Sequence, residues 1–313
     1  MTLQNKFSFP NFRSDIVLIG EILVDRIHDE TLQNTVEVFG GSTANITLNL
    51  TSLEVNPHFF GTVGSDEIGT SLKNELIRNK VDITHVRTVK KDTTIVEIDK
   101  ASGTPVPKFI RSSDYHIYWT PEMESELKNT KILHFSYWPL SSDPARSTIL
   151  KALEVAKENN VLVGFDPNYH IDLDLNKGND IEFIKSILKD IDIIKPSLDD
   201  SMRIFGTGLT KVEYLKKFQD FGCEIVIMTL GKDGLIAGIG DEIIELPSMA
   251  TEIVDATGAG DAFWSGLYSG IIHDETLINS IRIGLLCSAY NLKNIGSHCD
   301  FPKYLDIKKI LGI

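Results

Sequence analysis

The chain lacks a disulfide framework. Its 313 residues include three cysteines, Cys223, Cys287 and Cys299, and no Cys-x-x-Cys pair. That excludes a stapled secreted scaffold and suits a reducing, cytoplasmic setting. Positive charge is also scarce: 31 Lys and Arg stand against 44 Asp and Glu, a formal net charge of −13. Broad nucleic-acid binding normally needs a basic face, so no nucleic-acid partner is expected. No apolar run approaches the length of a membrane span, so no membrane partner is expected either. Residues 1–14 are a polar and aromatic tail without the charged-then-apolar order of a secretory signal. Neither familiar nucleotide loop is present: there is no Gly-x-x-x-x-Gly-Lys-Ser/Thr, and no Gly-x-Gly-x-x-Gly after the first apolar run. A P-loop enzyme and a dehydrogenase are poor readings. Repeats and low-complexity tracts are missing too.

What is present is an α/β pattern. Hydrophobic residues make up 42% of the chain, enough for a large core. Asp15–Gly20 reads as a short buried strand, and His58–Val63 as the next, followed by a helix over 68–79 with Leu72, Leu76 and Ile77 inward. From residue 131 strands (132–135, 161–165, 191–194, 225–229) alternate with helices (143–159, 181–189, 212–221). That alternation predicts a mostly parallel sheet flanked by helices. Residues 26–39, 93–99 and 108–118 alternate differently, with a turn at Ala101–Pro105 between the last two. They predict a small separate β-sheet inserted at about 22–39 and 92–119, within one domain spanning 15–313.

The chain is organised around Asp255-Ala256-Thr257-Gly258-Ala259-Gly260-Asp261-Ala262-Phe263. It follows the apolar pair Ile253-Val254, read as a strand end, and opens a helix. Gly258, Ala259 and Gly260 would aim free backbone N–H groups of the first turn at an anion. Asp261 beside them could take a proton from an attacking hydroxyl. An anion hole with an adjacent base is what phosphoryl transfer to an alcohol requires. The plainer alternative is a glycine turn and a helix cap. Asp25 lies just past the first strand, where ligands of open α/β sheets gather. It is either a fork for substrate hydroxyls or a solvated loop acid. Gly40-Gly41-Ser42-Thr43-Ala44-Asn45 permits close approach of a ligand, with Asn45 as donor and acceptor, or simply starts a helix.

Together these stretches resemble the ribokinase (PfkB) family of carbohydrate kinases. Asp255–Asp261 is similar to the family's Asp-Thr-x-Gly-Ala-Gly-Asp, departing at Ala256. Gly40–Asn45 with Gly61–Gly69 resembles its first signature. The likeness runs from about Asp15 to Pro302. It implies a ribokinase-like fold in which the small sheet is a lid over the sugar site. It further implies Asp261 as base, with Gly258, Ala259 and Gly260 stabilising the transferred charge. Asp25, Gly40, Gly41, Asn45, Arg111 and Asn168 would hold the sugar; Arg111 alternatively makes a surface salt bridge.

Asp166-Pro167-Asn168-Tyr169-His170 matches Asp-x-Asn-x-Arg except at His170, which loses a permanent cation and its fork. Ser197 and Asp200 stand at the family's Asn-x-x-Glu, placing Ser197 at the nucleotide and Asp200 on Mg²⁺ through water; the alternative for Asp200 is a helix cap. Thr229-Leu230-Gly231-Lys232-Asp233-Gly234 resembles the family's Thr-x-Gly-x-x-Gly along the ATP phosphates, or is a tight turn. Asn291 and Gly296 would approach the adenine. In relatives, carbonyls near Asp255, Thr257 and this loop hold K⁺.

The expectation is an ATP- and Mg²⁺-dependent sugar kinase. Without Lys or Arg in the Gly40–Asn45 loop, a free sugar is favoured over a sugar phosphate, and the segments Gly20–Asp25 and Arg111–Asp114 look most like fructokinases. A 2-keto-3-deoxygluconate kinase is the runner-up, then a nucleoside kinase, then a non-catalytic sugar-binding relative. Exposed lid strands suggest a homodimer through the lid.

Overall fold

Along β1 (Ser14–Ile19), Val17 and Ile19 point into one core and Ile16 and Leu18 into another, and all four are fully buried. A strand apolar on both faces needs a layer on each side, as in a parallel sheet within an α/β domain. The computed structural model describes residues 2–10, 13–29, 34–99, 107–173 and 180–313; the expected turn at Ala101–Pro105 lies outside them.

The further strands are β2 (Leu23–Asp29), β3 (Asn34–Gly40), β4 (Pro57–Gly64), β5 (Val86–Val89), β6 (Ile95–Asp99), β7 (Pro107–Ile110) and β8 (Thr130–Ser136). They continue with β9 (Leu162–Asp166), β10 (Ile193–Ile194), β11 (Ile225–Thr229), β12 (Leu235–Ile239) and β13 (Glu242–Leu246). Nine form one sheet in the order β13-β12-β11-β10-β9-β8-β1-β4-β5. It is parallel from β11 to β5, and β12 and β13 add an antiparallel edge. The other four make a smaller mixed sheet, β3-β2-β6-β7.

The helices are α1 (Ser42–Ser52), α2 (Glu67–Arg78), α3 (Pro121–Lys128), α4 (Tyr137–Leu140), α5 (Ala145–Glu158), α6 (Asp180–Ile187), α7 (Leu198–Phe205), α8 (Lys211–Asp220), α9 (Ala259–Ile272), α10 (Leu277–Asn291) and α11 (Tyr304–Leu311). α3 to α8 pack on the Val17 face and α1, α2, α9 and α10 on the Ile16 face. α11 packs on α10 through Tyr304 and Ile307. α9 and α10 are buried on nearly every side, which is why their apolar pattern is close to continuous. The expected ribokinase-like architecture, a mostly parallel sheet flanked by helices with a second small sheet, is present.

Three local expectations are corrected. Ile253 and Val254 belong to no strand: β13 ends at Leu246, and the pair is 60% and 51% exposed. Val254 N–H instead donates to the Leu292 carbonyl at 2.7 Å, fastening the loop to the end of α10. The extended run expected over 108–118 stops at Ile110, because the Thr94 hydroxyl accepts from Ser112 N–H (2.8 Å) and Asp114 N–H (3.3 Å) and turns the chain out of the ladder. Ile77 faces solvent, since α2 buries only Gly69, Leu72 and Leu76.

Candidate active site

Four strands of the large sheet end at one opening. Asp166 ends β9, Thr229 ends β11, Lys195 follows β10, and Glu21 stands two residues beyond β1; all four line a cavity of about 540 Å³. This is where an open parallel sheet leaves room for a ligand. Leu23, Val96 and Phe109 of the small sheet line the same cavity, with Trp138 from α4. The small sheet therefore stands over the opening as the lid reading requires.

The first turn of α9 forms one wall. Gly258 precedes it at φ 75°, and a Cβ there would lie 2.5 Å from Ser297 Cα, so only glycine suits the position. Gly258 and Gly260 line the cavity. Ala259 N–H turns back to the Ala256 carbonyl at 3.3 Å, so it is a less available donor than the three-residue anion hole assumed.

Asp261 lies in that turn. Its Oδ1 accepts from the Ser42 hydroxyl at 2.6 Å and its Oδ2 from the Asn45 amide at 2.9 Å. Burial pushes its pKa up to about 6; the Ser42 and Asn45 bonds oppose the rise, the Asp166 charge adds to it and Lys195 lowers it. Burial, with the Asp261 charge, pushes Asp25 up to about 7. Burial also pushes Glu21 up to about 7, against its hydrogen bonds to its own and the Ser42 backbone N–H and to Ser136, and with the Asp261 charge adding to the rise. Glu21 Oε1 accepts from Ser42 N–H at 2.8 Å and Oε2 from the Ser136 hydroxyl at 3.2 Å. Lys195 is the buried counter-charge, 3.0 Å from Asp166, whose Oδ2 also accepts from Trp264 Nε1 at 2.8 Å.

A second cavity of about 300 Å³ adjoins the first, with Ile253, Phe263, Leu285 and Leu292 as apolar walls and Gly231, Lys232 and Gly234 along one side. Thr229 and Gly260 line both cavities. One chamber is polar and carries Asp261; the other suits a flat apolar ring; they meet at the start of α9.

Of the expected sugar residues, Asp25, Gly41, Asn45 and Asn168 line the larger cavity. Gly40 sits behind Asp25: a Cβ there would lie 2.7 Å from Asp25 Oδ2. Arg111 is a correction. It does not line the cavity; its guanidinium pairs with buried Asp114 at 2.6 Å and lies 5.2 Å from the Trp138 ring centroid. It supports the cavity wall from behind, because the chain leaves the lid sheet at Ile110. His170 lines the cavity, its ring edge-on to Phe109 at 5.1 Å.

Of the expected nucleotide residues, Thr229, Gly231 and Gly234 line the smaller cavity and Ser197 the larger. Asn291 and Gly296 line neither: the Asn291 amide donates to the Gly296 carbonyl at 3.2 Å and shapes the loop from beneath. Asp200 lines the larger cavity, but it also closes the capping box of α7, whose N-cap is Ser197. Its Oδ2 accepts from the Ser197 N–H and hydroxyl, and its Oδ1 from Tyr169 N–H at 3.1 Å. Both its oxygens are engaged by the chain, and Asp199 beside it is exposed on the same lining. Asp255 Oδ1 accepts from Thr257 N–H and hydroxyl, and Oδ2 from Gly296 N–H at 3.0 Å, so these side chains tie loops together. For K⁺ they would offer only their carbonyls.

Glu21, Ser42, Lys195, Arg203 and Trp138 line the cavity without having been singled out. For Glu21 and Lys195 the signal was available: each is a charged residue within two positions of the end of a buried apolar run.

The family model described as pfkB family carbohydrate kinase matches residues 13–303. The chain belongs to that family. Among PfkB relatives it is 43% identical to the ATP-dependent 6-phosphofructokinase of Thermoanaerobacterium thermosaccharolyticum, over 99% of this chain and 97% of the relative. It is 28% identical to the fructokinase of Klebsiella pneumoniae, over 95% and 99% respectively. The solved fructokinase of Halothermothrix orenii superposes with a TM-score of 0.77 at 33% identity, over 88% of this chain and 98% of that one. This PfkB chain is thus an ATP-dependent phosphotransferase acting on carbohydrate. Among the described residues no helix is long and apolar enough to cross a membrane.

Proposed function

We propose that the chain phosphorylates a hydroxyl of a fructose-type ketohexose, with fructose 6-phosphate the first reading and free fructose the second. The observation that carries the reaction class is the junction of the two cavities at Gly260 and Thr229, with Asp261 on the sugar side. The 43% identity to a 6-phosphofructokinase favours the phosphorylated acceptor. Arg203 and His170, both on the cavity lining, would meet its phosphate. Free fructose is favoured by the 33% identity to a solved fructokinase and by the acidic wall of Glu21, Asp25 and Asp261, which suits neutral hydroxyls.

Asp25 and Asn168 orient the sugar. The Asp261 carboxylate accepts the proton of the attacking sugar hydroxyl; the hydroxyl oxygen bonds to the γ-phosphorus as the bond to the β-phosphate oxygen breaks, releasing ADP. Gly258 and Gly260 N–H groups and the Lys195 ammonium hold the charge on the transferred group. The apolar walls of the smaller cavity would hold the adenine. Mg²⁺ bound with the nucleotide supplies neutralisation of the phosphate charge, and Asp199 is the available oxygen donor.

Residues 15–313 act as one catalytic domain, with β2, β3, β6 and β7 as its lid. Exposed Val36 and Ile110 on that sheet favour a homodimer covering it, which light scattering tests by a doubled mass. Cys223, Cys287 and Cys299 are unpaired and buried, which favours a reducing, cytoplasmic setting. The function is tested by ATP consumption with fructose 6-phosphate, fructose, 2-keto-3-deoxygluconate and nucleosides. Turnover with either fructose form supports the proposal and ranks the two readings; turnover with neither refutes it.

A further inference from the structure

The proposed phosphoryl-transfer site lies at the C-terminal ends of β1, β9, β10 and β11. A separate cluster of groups able to ligate a metal lies on β4, just before β5 and on α3, and none of its members lines either cavity. His58 is on β4, His85 immediately precedes β5, and Glu126 is on α3. One ligand atom from each lies within 4.8 Å of the others. His58 Nδ1 is 2.9 Å from Glu126 Oε2, and His85 Nε2 is 4.0 Å from Glu126 Oε1. The two imidazoles stack at 6.3 Å and 25°, and the His85 ring also stacks on Phe60 at 4.2 Å and 16°.

We propose that His58, His85 and Glu126 bind a divalent transition-metal ion, Zn²⁺ by preference, as a clip at the edge of the large sheet. Two imidazole nitrogens and one carboxylate oxygen are a zinc donor set that leaves a position for water. Mg²⁺ prefers all-oxygen sites, so this ion is distinct from the one that travels with the nucleotide. A tetrahedral ion at about 2.0–2.1 Å from each ligand sets them about 3.4 Å apart. Side chains that are only partly buried can close the remaining gaps by small rotations. Asp82, whose carboxylate is held by Thr84 N–H at 2.9 Å, supplies negative charge next to both histidines.

The location explains what such an ion would do. β5 is a four-residue edge strand, and its partner in the sheet is β4. Arg87 of β5 already approaches Glu122 of α3 at 3.8 Å. The ion would add a strong second tie between the same elements. It stabilises the fold without touching the reaction.

The test uses the full chain after chelator treatment, titrated with Co²⁺ as a spectroscopic substitute and with Zn²⁺ in thermal unfolding. Wild type is compared with His85→Ala and with the near-isosteric Glu126→Gln. The expected result is one equivalent of Co²⁺ with the visible spectrum of a tetrahedral nitrogen–oxygen site. Affinity should fall at least about tenfold in each variant. Zn²⁺ should raise the unfolding midpoint of wild type only, with kinase activity of the variants unchanged. Absence of one-equivalent binding, wild-type affinity in both variants, or thiolate charge-transfer bands would each overturn the proposal. If His85→Ala fails to fold, Glu126→Gln and the wild-type spectrum still decide it.

Discussion

The Ser42 hydroxyl donates to Asp261 Oδ1 across 2.6 Å, although the two residues stand 219 positions apart. Asn45, one turn further along α1, donates to the other oxygen at 2.9 Å. The first turn of α1, in the stretch proposed to receive the sugar, therefore also holds the proposed base and favours its ionised form. Ser42→Ala removes a bond that favours the charged form, so the Asp261 pKa should rise above about 6. The acid limb of a kcat/KM–pH profile should move to higher pH, with a larger loss near pH 6 than above pH 8. A proportional loss at every pH would assign Ser42 a packing role instead.

Stability should run against activity with pH. Glu21 and Asp25 are pushed up to about 7 and Asp261 to about 6, so the folded state holds protons that the unfolded chain releases near pH 4. Their stabilising contribution is full below about pH 4 and is lost as pH rises to about 7. Glu21→Gln should therefore raise the urea midpoint at pH 8 and change it little at pH 4.

Lys195 sits against Asp166 and beside Gly260, where an added Cβ would meet its Nζ at 3.3 Å. Lys195→Ala should lower kcat by ~10²–10³, the usual cost of losing one donor to developing charge. It should also lower the unfolding midpoint, because Asp166 keeps its burial and loses its cation. An unchanged kcat in the folded variant would remove Lys195 from the phosphoryl site.

Arg111→Ala should behave as a stability mutation. Asp114 is fully buried and accepts from Arg111 Nε at 2.9 Å and from Trp138 Nε1 at 2.6 Å. Losing the cation should cost about 3–5 kcal/mol, read by chemical denaturation, while kcat/KM in the folded protein changes little. A large rise in sugar KM with unchanged stability would restore Arg111 to the substrate.

What was legible in the sequence had local causes. The glycines at 258 and 260, the acid at 261 and the strand–helix alternation after residue 131 each carry their own backbone or periodicity signal. Asn45 was legible as a site residue, but not as a partner of Asp261, because that contact depends on how α1 and α9 pack. Arg111 was misplaced because the Thr94 hydroxyl ends the lid strand one residue earlier, and a side chain intercepting backbone N–H groups leaves no periodic trace. Asp200 reads in the sequence as a water-mediated metal ligand with a helix cap as the alternative, and only the geometry reveals the reciprocal bonds it makes with Ser197. The proposed metal-binding triad joins residues 27 and then 41 positions apart along the chain, His58, His85 and Glu126, beyond any motif spacing.

Asp261 as base is the centre of the proposed mechanism. The direct measurement is the steady-state kinetics of Asp261→Asn, with binding of MgATP and of the sugar followed separately by calorimetry. The account predicts a kcat lower by ~10²–10⁴, with both ligands bound near wild-type affinity because the amide preserves the shape between Ser42 and Asn45. A variant that turns over at the wild-type rate would contradict it.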